Sequence, residues 1–196
     1  MTEQVVERFK PTSGRIMGTI GLVLVGVALV LGLLDPDSGF GGPVFAAAVA
    51  IGVLTWAALL RPAMWVTTDS LVMRNMFETV TIPLAAVEQV AVQQVTAVRA
   101  GDRRYISPAV GRSLRQAMKG RRDTDRDTAS AVPSSYPDMV EQRIRHLADD
   151  AATARGIRQR SAEQVALGRE VRRQPAWAEI VLLVAAVVGF VIALAV

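Results

Sequence analysis

The stretch Ile16-Met17-Gly18-Thr19-Ile20-Gly21-Leu22-Val23-Leu24-Val25-Gly26-Val27-Ala28-Leu29-Val30-Leu31-Gly32-Leu33-Leu34 carries no charged side chain and no proline. As a helix it rises about 28 Å, enough to cross the hydrocarbon core of a bilayer. Val44 to Leu60 and Ile180 to Val196 repeat the texture, uninterrupted by charge and within the span range of about 17 to 25 residues. Buried core helices of a soluble protein would need a large polar shell, and what remains of a chain of 196 residues is too short to build one. Three transmembrane helices are therefore expected. Composition agrees: hydrophobic residues make up 51% but aromatics only 5%, so the apolar mass is aliphatic and gathered into these blocks.

Working outward, the link from Asp35 to Pro43 has no Lys or Arg, whereas Arg8, Lys10 and Arg15 precede the first span and Arg61 follows the second. The positive-inside bias places that link outside and the N-terminus inside. The segment from Arg61 to Pro175 holds 19 of the 22 basic residues and is expected to be cytoplasmic. Arg169, Arg172 and Arg173 mark the start of the third span as cytoplasmic too, leaving the C-terminus outside. Trp56, Trp65 and Trp177 fall near the expected inner boundary, where an indole is favoured. The first span is longer than a cleaved secretory core of about 7 to 15 residues, and Leu33-Leu34-Asp35 lacks a small-x-small cleavage pattern. Gly14, Gly18 and Gly21 are candidate helix-packing positions, since small residues let helices approach closely in lipid.

From Trp65 the pattern changes to period two. Strands are expected at 65–68, 71–75, 78–82, 87–92, 95–99 and 104–107, with turns at Asp69-Ser70, Met76-Phe77 and Gly101-Asp102. Val66, Leu71, Met73, Val80 and Ile82 supply one apolar face, and Thr67, Arg74, Thr79 and Thr81 its polar neighbours. Beyond them lie two candidate capping helices. Pro108 to Lys119 sets Val110, Leu114, Ala117 and Met118 against Arg112, Arg115 and Lys119, while Asp138 to Arg173 repeats Val140, Ile144, Leu147, Ala148 and Ala151 at helical spacing. Arg121 to Ser135, nearly free of apolar residues, reads as a linker.

The residues Arg61-Pro62, the hairpin Val66 to Asn75, Ile82-Pro83-Leu84 with Val87-Glu88-Gln89-Val90, and Gly101-Asp102-Arg103-Arg104-Tyr105 resemble bacterial pleckstrin-homology (PH) domains fused to membrane helices. The similarity is greatest to actinobacterial membrane proteins related to low molecular weight protein antigen 6, and it covers about 50 residues by pattern and spacing. It implies a partly open β-barrel capped by a helix, and binding or scaffolding rather than catalysis. The expected fold class is thus an α+β membrane protein: three transmembrane helices plus a cytoplasmic PH-like small β-barrel or meander, with capping and long C-terminal helices. The expected organisation is a tail at 1–15, spans at 16–34 and 44–60 around a turn at 35–43, a β domain with a basic helix at 61–120, a linker at 121–137, an amphipathic charged helix at 138–174 and a third span at 175–196.

For chemistry, the absence of cysteine removes disulfides and thiolates, and the single histidine, His146, removes multi-histidine metal sites. His146, on a helix with no Ser or Cys motif around it, reads as a surface residue. The acids Asp123, Asp125 and Asp127 lack the glycine and twelfth-position glutamate of a calcium loop, and no glycine-rich run carries a phosphate-loop lysine. No catalytic residue, metal or cofactor is assigned. Spans without internal ionisable residues argue against a transporter, with Glu179 at the boundary of the third the nearest exception. The net charge of +4 and the scarcity of aromatics among the cations argue against nucleic acid. Arg112, Arg115, Lys119, Arg121 and Arg122 are the candidate site for anionic lipid or an acidic partner, against the plain alternative of a solvated basic face. Expected partners are membrane lipids and other membrane proteins or a second copy, with no small-molecule substrate. Beside a binding module stand two other readings, an accessory subunit of a respiratory or cell-envelope synthesis complex and an envelope-stress or division scaffold.

Overall fold

The computed structural model of the chain describes residues 4–12, 14–34, 41–112, 135–159 and 161–195. These form two compact units, one from the N-terminal residues together with 62–174 and one from 14–61 together with 175–196.

Among the described residues, the second unit holds three helices long and apolar enough to cross a membrane. They are α1 (Arg15–Leu34), α2 (Gly42–Thr55, prolonged by a π-helical turn over Trp56–Leu60) and α5 (Trp177–Ala195). Pro43 sits in the first turn of α2, where its missing N–H costs nothing. α2 packs against both α1 and α5. The meeting with α1 is close at one end: a Cβ added at Gly18 would lie 2.7 Å from Leu60 and 2.8 Å from Leu59, one at Gly14 2.9 Å from Leu59, and one at Gly21 3.3 Å from Thr55. Glycine at these positions lets the two helices touch, as small residues do where hydrophobicity offers no drive for association. On the other faces Leu24, Leu33, Val181 and Ile192 stand exposed, which is tolerable only where something apolar covers them. Where α2 ends and α5 begins, Arg61 Nε donates to Glu179 Oε1 at 2.6 Å, and the two side chains are 4% and 12% exposed.

Among the described residues, the first unit is built on eight strands in two antiparallel sheets. Between 63 and 107 the six expected strands form, as β2 (Ala63–Thr67), β3 (Ser70–Arg74), β4 (Glu78–Pro83), β5 (Val87–Val92), β6 (Thr96–Ala100) and β7 (Arg103–Ser107). Their registers are those of a meander, Val66 opposite Leu71, Leu71 opposite Ile82, Met73 opposite Val80 and Val98 opposite Tyr105. The period-two face is the core: Val66, Leu71, Met73, Val80 and Ile82 are all buried. The meander is interrupted, however, because Leu84–Ala86 after Pro83 forms a 3-10 turn. The strands consequently divide into a five-stranded sheet, β1-β2-β3-β4-β8, and a three-stranded sheet, β5-β6-β7, and no closed barrel forms among the described residues. Proline explains the break, since it has no N–H to carry a ladder onward.

Four elements differ from the expectation. Within the expected tail, Val5–Phe9 is strand β1, pairing with β2 so that Arg8 faces Trp65 and Phe9 faces Met64. The helix read from Asp138 to Arg173 is α3 (Tyr136–Ala154), and it stops in a Schellman turn, with Gly156 at φ +68°. The Gly156 N–H donates to Thr153 O and the Ile157 N–H to Ala152 O, satisfying the last carbonyls. After it come a short α4 (Ala162–Leu167), capped by Ser161 Oγ accepting from the Gln164 N–H, a 3-10 turn (Gly168–Glu170) and β8 (Arg172–Pro175). Pro175 therefore ends a strand, and α5 begins after it. Finally, 108–112 is not helical. Val110 plugs the core there, its carbonyl accepting from Thr96 Oγ1, while the Gly111 N–H donates to Thr12 Oγ1. The remainder of the expected 108–119 helix, like most of the linker, lies outside the described residues.

Of the two candidate caps, α3 is the one seen packed on the core: Val140, Ile144, Ala148 and Ala152 are buried at intervals of one turn. It also covers the open edge of β5, since Glu141 Oε2 accepts the Val92 N–H and Arg145 donates to Val90 O. Gln164, buried on α4, donates to the carbonyls of Ala85 and Val87 and so ties α4 to the break between the sheets.

Candidate functional site

Of the five residues read as a candidate site for anionic lipid or an acidic partner, only Arg112 lies within the described residues. Its guanidinium pairs with Asp138 in the first turn of α3, and its backbone N–H donates to Gln93 O at 2.5 Å. Asp138 also accepts from Ser135 Oγ at 2.6 Å. Arg112 is thus engaged in holding the start of α3 against the β5–β6 turn. Arg115, Lys119, Arg121 and Arg122 lie outside the described residues, as do Asp123, Asp125 and Asp127. His146 is on the exposed side of α3, with Nδ1 2.8 Å from Asp150 one turn on. Gly14, Gly18 and Gly21 gather at the α1–α2 contact.

A second basic cluster is assembled by the fold from Arg169 and Arg173, which served above as topology markers, and Arg103, which lies in the stretch that carries the PH resemblance. Arg103 opens β7, Arg169 lies on the 3-10 turn and Arg173 on β8, and with Asp102, Tyr105 and Val171 they line one cavity of about 300 Å³. The floor is a backbone-to-backbone contact. Gly101, in the β6–β7 turn at φ +58°, meets Gly168, where an added Cβ would lie 2.7 Å from Gly101 N and 2.9 Å from its Cα. Only glycine at 168 allows that approach. Arg173 is held by Glu78 of β4, with Nη2 and Nε 2.6 and 2.9 Å from Oε2. Arg103 and Arg169 are exposed and make no ion pair among the described residues. Tyr105 is only 8% exposed, and its hydroxyl makes no hydrogen bond among the described residues. The spacing of the three arginines along the chain did not point here, because they come from three elements that the fold brings together through the Gly101–Gly168 contact and the pairing of β8 with β4.

A separate groove of about 490 Å³ runs between β1 and α3, lined by Phe9, Tyr136, Met139 and Val140 with Glu7, Arg8, Lys10 and Arg143 at its rim. There Tyr136 Oη accepts the Lys10 N–H at 2.6 Å, and Arg143 Nε pairs with Glu7 Oε2 at 2.8 Å. Burial pushes the Tyr136 phenol above its ordinary value of 10.0, against the lowering effect of the Lys10 N–H, and nearby Glu7 adds to the rise.

Compared with protein-family models, curated proteins and solved structures, the chain matches none.

Proposed function

We propose that this chain is a non-enzymatic integral membrane protein whose strand-rich unit is a PH-like module, faces the cytoplasm and binds a partner at the membrane surface. The observation that carries the reading is the pairing of β1 with β2. The strands before and after the α1–α2 hairpin belong to one sheet, so if those helices cross a membrane they cross it out and back. Basic residues concentrated in the same unit favour the cytoplasmic side. Six strands followed by a helix packed on their core support the PH-like resemblance. Two departures from it stand beside that support, namely the two separate sheets and the two apolar helices inserted after the first strand.

Reporter domains active on only one side of the membrane, fused at residues 40, 130 and 196, test the orientation. Activity consistent with an interior 130 and exterior 40 and 196 is expected; an exterior 130 overturns the reading. Photo-crosslinking in intact cells from Met139, 49% exposed at the rim of the β1–α3 groove, tests binding. A discrete crosslinked partner is expected. Stoichiometric recovery of an enzyme would instead make the chain an accessory subunit of a larger complex.

A further inference from the structure

The five-stranded sheet has two outer strands, β1 and β8, and their edges are built differently. β8 is exposed throughout but reads Arg172-Arg173-Gln174-Pro175, with charge along it and a proline that offers no N–H, a composition that keeps an edge from pairing with another chain. In the smaller sheet the edge of β5 is covered by α3. β1 has neither protection: Val5-Val6-Glu7-Arg8-Phe9 contains no proline, and Val5 and Val6 stand exposed. The Lys10 N–H turns away from β2 to Tyr136 Oη. Ladder bonds alternate along a strand, so the N–H and C=O of Arg8 lie on that same outer edge, and they have no hydrogen bond there among the described residues.

Beside this edge lies the groove of about 490 Å³, with Phe9, Tyr136, Met139 and Val140 as its apolar lining. Successive side chains of a strand alternate between its faces, which puts Phe9 on the groove side and Arg8 and Lys10 together on the other. Glu7, the one acid in that lining, is engaged by Arg143, whereas Arg8 and Lys10 make no ion pair among the described residues. A segment laid along the edge therefore meets a base, an apolar groove and a second base in order. Its complement is an acid, an aliphatic residue and a second acid. This chain contains no such order, because wherever its acids stand two positions apart the residue between them is Pro36, Thr124 or Arg126. β1 of a second copy fits no better. In an antiparallel pair related by a two-fold axis, a register centred on Glu7 or on Arg8 sets like charge against like charge.

We propose that the outer edge of β1 is a strand-addition site for another protein, taking an extended segment that reads acid, aliphatic, acid. The acids lie opposite Arg8 and Lys10, the aliphatic side chain enters the β1–α3 groove, and the Arg8 N–H and C=O pair with the added backbone. The proposal rests on the reading of the chain as a membrane-anchored binding protein, and it gives that protein a partner chemistry and a mode of binding.

The test uses the full chain in a zwitterionic detergent with short, acetylated, fluorescent peptides read by anisotropy. The first peptide has glutamates on both sides of a central isoleucine and threonines beyond them. A second has lysines for the glutamates, a third has serine for the isoleucine, and a fourth is the first with N-methylated amides along one edge, which removes its backbone donors. The first is expected to bind, and the others about tenfold more weakly or not at all. Arg8→Glu with Lys10→Glu should invert the preference, losing the glutamate peptide and gaining the lysine one. Arg103→Glu with Arg104→Glu makes the same change of charge elsewhere and should leave binding unchanged. All four substituted side chains are exposed, and thermal unfolding checks that each variant is folded. Equal losses in the two double variants, a preference that does not invert, or undiminished binding of the N-methylated peptide overturns the proposal. So does failure of the first peptide to bind. Self-association of the chain that the first peptide does not disperse assigns the edge to a second copy and overturns it too. These measurements are made on the purified chain, so a negative result leaves the reporter and crosslinking results standing, and the two readings fail separately.

Discussion

At the scale of single residues, the first unit depends on a few positions where one atom decides the packing. Gly168 is the sharpest. Its added Cβ would lie 2.7 Å from Gly101 N and 3.0 Å from Ala100 C, and backbone cannot swing aside as the end of a long side chain can. Gly168→Ala is expected to cost about 1 to 3 kcal/mol, read as a fall in unfolding midpoint. Gly156 has open space around its Cβ position and only its φ of +68° to protect, so Gly156→Ala should cost about 1 kcal/mol. If the two variants unfold alike, the Gly101–Gly168 contact is not as tight as described. Tyr136 offers a pH-dependent counterpart. Because its folded-state pKa is raised, its stabilising contribution is present in full below 10.0 and is lost as pH climbs through the raised value. In a Tyr105→Phe background, where Tyr136 is the sole tyrosine, phenolate absorbance should appear above 10.0 in the folded chain and shift down on unfolding. A folded-state titration at or below 10.0 would contradict the burial assigned to it.

At the scale of elements, what could be read from the sequence depended on whether the local pattern had a competitor. Strands β2 to β7 were legible because Val, Ile, Leu and Met alternate with Thr, Arg and Glu between recognisable turns. β1 was not, since Val5-Val6-Glu7-Arg8-Phe9 has one buried residue, Phe9, and draws its stability from β2 rather than from itself. β8 is wholly exposed and reads Arg172-Arg173-Gln174-Pro175, composition that suits an edge strand and gives no strand signal. The end of α3 was marked by Gly156, but the alanines and arginines beyond it are good helix formers and concealed the stop. Among the helices of the second unit the joint that matters is equally hidden, because Arg61 and Glu179 are 118 positions apart. Their pair is largely withdrawn from solvent, and Arg61 Nη1 is buried without a partner. Breaking such a pair leaves one charge uncompensated, so Glu179→Gln or Arg61→Gln should each destabilise the full chain in detergent by about 3 to 5 kcal/mol. The exchanged variant, Arg61→Glu with Glu179→Arg, should recover part of that loss. Thermal unfolding of the four proteins measures it, and additive single losses with no recovery would show that the two side chains act independently.

At the scale of the whole molecule, the chain closes its first unit only after a detour. Phe9 faces Met64 in the β1–β2 pair, yet everything from Gly14 to Arg61 lies between them in the chain and belongs to the other unit. In antiparallel neighbours the facing backbones are about 5 Å apart, so the α1–α2 hairpin occupies the place that a short turn holds in an ordinary β-hairpin. The inserted helices are therefore separable in principle from the sheet they interrupt. Residues 1–13 joined to 62–174 by a short glycine-rich turn should give a soluble protein that unfolds cooperatively. Residues 62–174 alone should not match it, because they lack Phe9 from the core, the Thr12 contacts with Ala109 and Gly111, and a neighbour for the outer edge of β2. An unpaired β2 carrying buried Met64 and Val66 is a ready template for another chain, so the shorter fragment is expected to unfold at lower temperature and to self-associate. Chemical denaturation and sedimentation of the two fragments measure the difference. Identical midpoints and masses would mean that β1 contributes nothing to the unit, and the inference that both ends of the α1–α2 hairpin lie on one side of the membrane would lose its support.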